Sequence, residues 1–205
     1  KTGSTEDRAR FRQEAKLAAR ISHPNIAAVY EAGDEFIAMQ FVEGQTLSAL
    51  PATAPRRVAE WIRDATLAVH SAHEHGVIHR DLKPANLLVE SETRRLYILD
   101  FGLAKSTSVE PGLSASGSVV GTPSYMPPEQ ALAQRADARS DVYSLGATLY
   151  SLLGGRPPFQ DSNVYDLLRK IVSEEPVPLR RLRPSVNQDL ETIVMKCLEK
   201  EASRR

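Results

Sequence analysis

Four residues in one short stretch have the types and spacing to do chemistry together. Residues 79–102, HRDLKPANLLVESETRRLYILDFG, carry Asp81, Lys83 and Asn86 near one end and Asp100 near the other. Asp81, Asn86 and Asp100 offer oxygen ligands or proton acceptors, and Lys83 offers a fixed positive charge. Such oxygens suit a hard divalent cation. A cation together with a lysine suits the oxygens of a triphosphate lying beside a hydroxyl that has to be activated.

Chemistry of this kind works by position, so the flanking elements have to hold these side chains rigidly. Short apolar runs at 77–78, 87–89 and 96–99 flank the loop and read as strands. Upstream, Val58, Trp61, Ile62, Ala65, Ala68, Val69 and Ala72 recur at helical spacing, which predicts a long helix over 56–75 ended by Gly76. His70, His73 and His75 fall on or beside it, but no two of them are four residues apart, so a metal site is not assigned to them. Residues 5–20 read as a helix with Phe11, Ala15, Ala18 and Ala19 in one stripe and Glu14 beside it. Residues 26–31 and 36–40 read as a strand pair turned at Gly33-Asp34. An apolar helix follows at about 140–153. Two shorter amphipathic helices are marked by Val164, Leu167, Leu168 and Ile171, and by Leu190, Ile193, Val194, Cys197 and Leu198. Pro176, Pro178 and Pro184 predict a loop between those two, and Cys197 is expected to be a buried, inert thiol on the apolar stripe.

Composition narrows the classes further. Twenty-six basic residues balance twenty-six acidic ones among 205, which gives no reason to expect a nucleic-acid partner or an anionic membrane surface. A single cysteine excludes an internal disulfide and a cysteine-based metal cluster, and fits a reducing, cytoplasmic setting. No run of eighteen apolar residues occurs, so membrane attachment is expected only through regions outside this chain.

The HRD group followed by Lys83 and Asn86, with the Asp100-Phe101-Gly102 triplet after it, closely resembles the catalytic core of eukaryotic-type protein kinases. The phrases HRDLKPANLL, LDFGLAK and GTPSYMPPEQ look most like bacterial members of that family. The resemblance runs through practically the whole chain and implies an α+β, two-lobed fold. Residues 1–42 would form a partial small β lobe, and residues 43–205 a mainly helical large lobe. The implied activity is transfer of the ATP γ-phosphoryl group to protein hydroxyls with magnesium, manganese being the alternative ion. Asp81 would accept or orient the hydroxyl proton, Lys83 would stabilise the γ-phosphate, and Asn86 and Asp100 would hold the metal. Met39, Gln40 and Val42 match the hinge that meets adenine, Leu88 would pack under its ring, and Glu14 would pair with a phosphate-gripping strand lysine. Lys83 with Thr122 resembles serine/threonine-specific rather than tyrosine-specific members.

Other residues acquire structural or regulatory roles from the same resemblance. His79 and Phe101 would stack beneath the site, Asp141 would cap the catalytic-loop backbone, and Glu129 would pair with Arg205. Arg80 would await a phosphate on the Ser/Gly-rich stretch 103–120. Thr107, Ser108, Ser114, Ser116, Ser118 and Thr122 are the candidate hydroxyls in and just after that stretch. Protein substrates, and a pair of kinases phosphorylating each other's activation loops, are the implied partners. The sequence departs from the pattern in three places. Gln40 stands where an acidic residue is common, Pro127 replaces the alanine of the APE motif, and neither a GxGxxG loop nor a well-placed strand lysine precedes Glu14. Lys1 is a poor match for that lysine, and the expectation is a fragment lacking its first strands and a final helix. A pseudokinase scaffold and a small-molecule phosphotransferase are the competing classes. The GTPSYMPPE segment, which resembles a protein-substrate platform, speaks against the second.

Overall fold

In the computed structural model of the protein, which describes residues 19, 21–33, 36–99 and 123–205, the predicted apolar stripe winds Pro55–Glu74 into α1. Pro55 sits at the first helical position, where its missing N–H costs nothing, and all seven stripe residues are buried. Trp61 buries its ring and donates its indole N–H to the Arg94 carbonyl at 3.0 Å, which resolves the polar end of a core aromatic. Gly76 (φ 75°) then turns the chain in the left-handed region.

Two small antiparallel sheets follow from the β-branched and aromatic runs. β1 (Val29–Ala32) pairs with β2 (Ile37–Met39) as a hairpin. β3 (Gly44–Thr46), β4 (Leu87–Glu90) and β5 (Leu96–Ile98) form a second sheet in that order. Residues 77–78, predicted as a strand, lie outside regular structure, and β3 takes the place beside β4 instead. Gly44 makes that approach feasible, since a Cβ there would collide with the Val89 carbonyl. The first predicted strand also begins too early. Ile26 leaves the hairpin and bridges Ile98 in parallel, with Ala27 N–H donating to the Ile98 carbonyl (3.0 Å) and Ile98 N–H donating to that of Asn25 (2.8 Å). The reason is local: Asn25 donates its side-chain amide to the Leu96 carbonyl at 2.8 Å, and buried Ile26 belongs to the main core.

The C-terminal half is helical. After a short α2 (Pro128–Ala131), α3 (Ala138–Gly154) runs through the middle of the core, packed against α1 on one side and α6 (Gln188–Cys197) on another. Its start is a reciprocal cap: the Asp137 carboxylate accepts from Arg139 N–H (2.8 Å), and Asp137 N–H donates to Ser140 Oγ (3.2 Å). Tyr143, Ala147, Tyr150 and Leu153 are almost wholly enclosed, as expected of a helix apolar on several faces. Gly146 lets α6 approach, because a Cβ at 146 would collide with the Cβ of Cys197. Gly146→Ala is therefore expected to destabilise the fold by about 1–3 kcal/mol, read as a lower urea midpoint at unchanged m-value.

Two other expectations are corrected here. The proline-bounded segment contains a helix, α5 (Leu179–Leu182), because fully buried Leu179 and partly buried Leu182 dock on the main core. Ile193 is 57% exposed, since α6 turns Val194 and Leu198 inward. Cys197 is partly buried, and burial pushes its thiol pKa up, which favours the inert protonated form. α4 (Val164–Ser173) closes a satellite core of Phe159, Leu167 and Ile171.

Candidate active site

The loop between α1 and β4 brings Asp81, Lys83 and Asn86 together. Lys83 Nζ lies 2.7 Å from Asp81 Oδ2, and Asn86 donates its amide to the Asp81 carbonyl (2.8 Å) and to Asp81 Oδ2 (3.1 Å). A 3₁₀ turn at Pro84–Asn86, entered by a proline with preset φ, fixes the spacing of these residues, and Asn86 leads directly into β4. Leu99, the residue before Asp100 in the sequence, donates its N–H to the Asn86 carbonyl at 2.9 Å. The start of β4 and the end of β5, paired at Leu87 and Ile98, thus register the chain leading to Asp100 against Asn86. Asp100 and Phe101 lie outside the described residues. So do Lys1, Glu14, Thr107, Ser108, Ser114, Ser116, Ser118 and Thr122.

Beneath the loop, His79 is fully buried. Its Nε2 lies 3.0 Å from the Leu99 carbonyl, which can only accept, while its Nδ1 accepts from Asp81 N–H at 3.3 Å. Those two partners define the neutral imidazole with its proton on Nε2. Arg80 adopts φ 66°, a left-handed backbone that is uncommon for a residue with a side chain. What holds it there is Asp141, fully buried at the start of α3. Oδ1 accepts from Arg80 N–H (2.8 Å), and Oδ2 accepts from His79 N–H (2.9 Å) and from His73 Nε2 (2.7 Å). Gln130 adds a longer bond, donating its amide to the Arg80 carbonyl at 3.3 Å.

His73 and Gln130 were missed as positioning residues. Only one signal in the sequence pointed to His73: a polar residue directly beside the buried stripe in the last turn of α1. Asp141→Ala would orphan three donors at once, and is expected to cost about 3 kcal/mol or more in a urea titration. Asp141→Asn, which keeps one accepting oxygen, should fall between that variant and the natural protein.

The expected adenine-contacting residues are spread along adjoining strands. Met39 ends β2, and Gln40 follows with its N–H donating to the Ala28 carbonyl (2.7 Å) and its side-chain oxygen accepting from Ala28 N–H (3.3 Å). Val42 is buried two residues before β3, and Leu88 on β4 stands opposite Thr46 of β3.

On the far side, Glu129 and Arg205 form a bidentate pair, Nη1 to Oε1 at 2.7 Å and Nη2 to Oε2 at 2.8 Å. The guanidinium also donates to the carbonyls of Glu199, Arg139 and Lys200, and lies 5.0 Å from the centre of the Tyr143 ring. Ser140 Oγ adds a 2.7 Å bond to Glu129. Burial raises the Glu129 pKa, and the bonds from Arg205 and Ser140 more than offset it, leaving the carboxyl below its ordinary value.

With this geometry in place, the comparisons with known proteins identify the class. The family model described as protein kinase domain matches residues 1–205, and the chain belongs to that family, with its α+β fold. Among curated relatives, it is 40% identical over 209 residues to the serine/threonine-protein kinase PknB of Mycolicibacterium smegmatis, covering 96% of this chain and 33% of that protein. It is 39% identical over 214 residues to the serine/threonine-protein kinase pkn3 of Myxococcus xanthus, covering 96% and 39%. The chain thus spans about a third of the length of the curated relatives it matches. Among solved structures, the Mycobacterium tuberculosis PknI kinase domain aligns at 27% identity with a TM-score of 0.75, covering 98% of this chain and 75% of that one.

Proposed function

We propose that this chain carries the catalytic machinery of an active kinase, transferring the γ-phosphoryl group of ATP to serine or threonine hydroxyls of proteins. The observation that carries this reading is the Asp81–Lys83–Asn86 cluster, three side chains held within hydrogen-bonding distance on a loop anchored by β4 and Asp141. Asp81 is partly exposed, as a carboxylate that must meet an incoming hydroxyl has to be, and accepts or orients its proton. Lys83, already beside that carboxylate, supplies positive charge toward the phosphoryl oxygens.

Asn86 fits a divalent-ion ligand, because its amide nitrogen is committed to Asp81 and its Oδ1 is the remaining donor atom. Asp100 would be the second metal ligand. When bound, magnesium–ATP supplies the transferable group and a metal charge on its phosphate oxygens. Met39, Gln40, Val42 and Leu88 form the adenine side, and Glu14 orients the phosphate-gripping lysine. This reading places the boundary between the lobes at residues 42 and 43.

Activation through phosphate on Thr107, Ser108, Ser114, Ser116, Ser118 or Thr122, set by a second kinase copy and bound by Arg80, belongs to the same reading, as does a cytoplasmic site of action. The test is incubation of the protein, as the cell makes it, with γ-labelled ATP and a generic protein substrate. Label on serine and threonine is expected. ATP binding without transfer would establish the scaffold alternative instead.

A further inference from the structure

Arg156, Arg180, Arg181 and Arg183 gather where α5 meets the end of α3. Leu179 and Leu182, three residues apart on the single turn of α5, dock on the main core, so Arg180 and Arg181 between them are left exposed. Arg183 follows the helix and donates to the Leu153 carbonyl at 3.4 Å, and exposed Arg156 leaves the left-handed turn at Gly155 (φ 77°). The two segments are fastened together. A Cβ at Gly154 would stand 3.2 Å from the side chains of both Leu179 and Leu182, and the backbone of Arg156, two residues on, lies within about 7 Å of Gly154. Tyr150 donates its hydroxyl to the Val177 carbonyl at 2.7 Å, just ahead of α5. Burial raises the pKa of that hydroxyl, and the charge of nearby Arg156 acts against it.

Among the described residues, none of these four guanidinium groups is in an ion pair, whereas Arg169 and Lys170 of α4 hold carboxylates at 3.2 and 2.8 Å. Glu191 of α6, an acidic neighbour, directs its Oε1 to the Arg180 N–H at 2.7 Å. In a chain whose charges balance, the result is a local excess of positive charge on a rigid support.

We propose that this cluster is a docking surface for an acidic segment of a partner protein, whose Asp or Glu carboxylates pair with Arg156, Arg180 and Arg181. A guanidinium presents its donors in a planar fork that matches a carboxylate, and arginines seated on a fixed turn give up less freedom on pairing than arginines on a loose chain. Duplex nucleic acid repeats its charge about every 1.7 Å and favours an extended basic row, which one turn of helix does not supply. A lipid surface takes a helix with an apolar face turned outward, and α5 turns its leucines inward. The surface serves binding, and it holds whether or not the chain transfers phosphate.

The test is fluorescence anisotropy of a short labelled peptide of alternating Glu and Ser, with the protein as the cell makes it. Salt is kept at about 0.15 M, where charges more than about 8 Å apart are largely screened and close pairing is what is read. The Glu peptide is expected to bind at least about tenfold more tightly than its Gln counterpart. Arg156→Gln/Arg180→Gln/Arg181→Gln is expected to weaken that binding about tenfold or more, with melting unchanged because all three side chains are exposed. Arg56→Gln/Arg63→Gln/Arg95→Gln removes the same charge at other exposed positions and is expected to bind within about threefold of the natural protein. No preference for Glu over Gln, or equal losses in the two variants, overturns the proposal. Binding of duplex DNA or phosphatidylglycerol vesicles that the first variant abolishes, with no binding of the Glu peptide, assigns the surface to another class of partner and overturns it too. Phosphotransfer is not the readout, so either failure leaves the kinase reading as it stands.

Discussion

Asp81→Asn is expected to lower phosphotransfer by about 10²- to 10⁴-fold while the protein stays folded. The substitution keeps the shape of the side chain and one accepting oxygen, but removes the negative charge that a hydroxyl proton requires. The stability cost should be small for an equally specific reason. The Asp81–Lys83 pair is partly solvated, with the two side chains 29% and 23% exposed, and such pairs contribute little net stability, about 1 kcal/mol or less. Asn86 keeps its bond to the backbone carbonyl of residue 81, which the substitution leaves in place. Activity and thermal melting measured on one preparation separate the two effects. A rate within about threefold of the natural protein would remove Asp81 from the chemistry.

Breaking the Glu129–Arg205 pair should do the opposite, with a loss of stability that comes before any question of rate. The Arg205 side chain has no exposed surface and that of Glu129 only 12%, so neither charge can turn to water when its partner is removed. Removing one partner of such a pair costs about 3–5 kcal/mol, a large share of the 5–15 kcal/mol typical of a domain. Arg205→Ala is expected to be the worse of the two, because it also strips three backbone carbonyls of their donor. Glu129→Ala leaves those three bonds in place. Both are read from urea midpoints, and a cost below about 1 kcal/mol for Arg205→Ala would contradict the account.

The pair also has a pH signature. The folded-state pKa of Glu129 is depressed, so its contribution is fully present above the ordinary carboxyl value of 4.5 and is lost as the pH falls below that value through the folded pKa. Arg205→Ala should flatten the acid limb of the stability profile.

How much of this could be read in advance depended on the kind of contact. Helices declared themselves where one face is buried: all seven α1 stripe residues went inward because a 3.6-residue period leaves no other face to hide. Residue types and order marked the catalytic-loop cluster, since Asp81, Lys83 and Asn86 are only five positions apart and a proline shapes the turn between them. Contacts across long sequence separations were legible only through resemblance. No local pattern pairs Glu129 with a residue 76 positions later, or Asp141 with an amide 62 positions earlier. Where resemblance was silent, such contacts were missed. His73 reads as one more surface histidine until Asp141 is beside it, and Ile26 belongs to its hairpin by alternation but to β5 by burial. α5 hid among prolines, because a four-residue helix has too little periodicity to register and is held by two leucines.

The clip at residues 25–28 also has a mechanical consequence. Two runs of backbone connect the β1–β2 hairpin to the rest of the described structure, one through residues 25–28 and one through residue 40. They lie side by side, joined by the Gln40–Ala28 bond, while the first is pinned to β5 at Asn25 and Ala27. Val29 of β1 and Ile37 of β2 also pack against the main core, so the hairpin is fastened by side chains as well as by backbone, and any displacement of it would be passed through Ile98 to the strand that leads to Asp100.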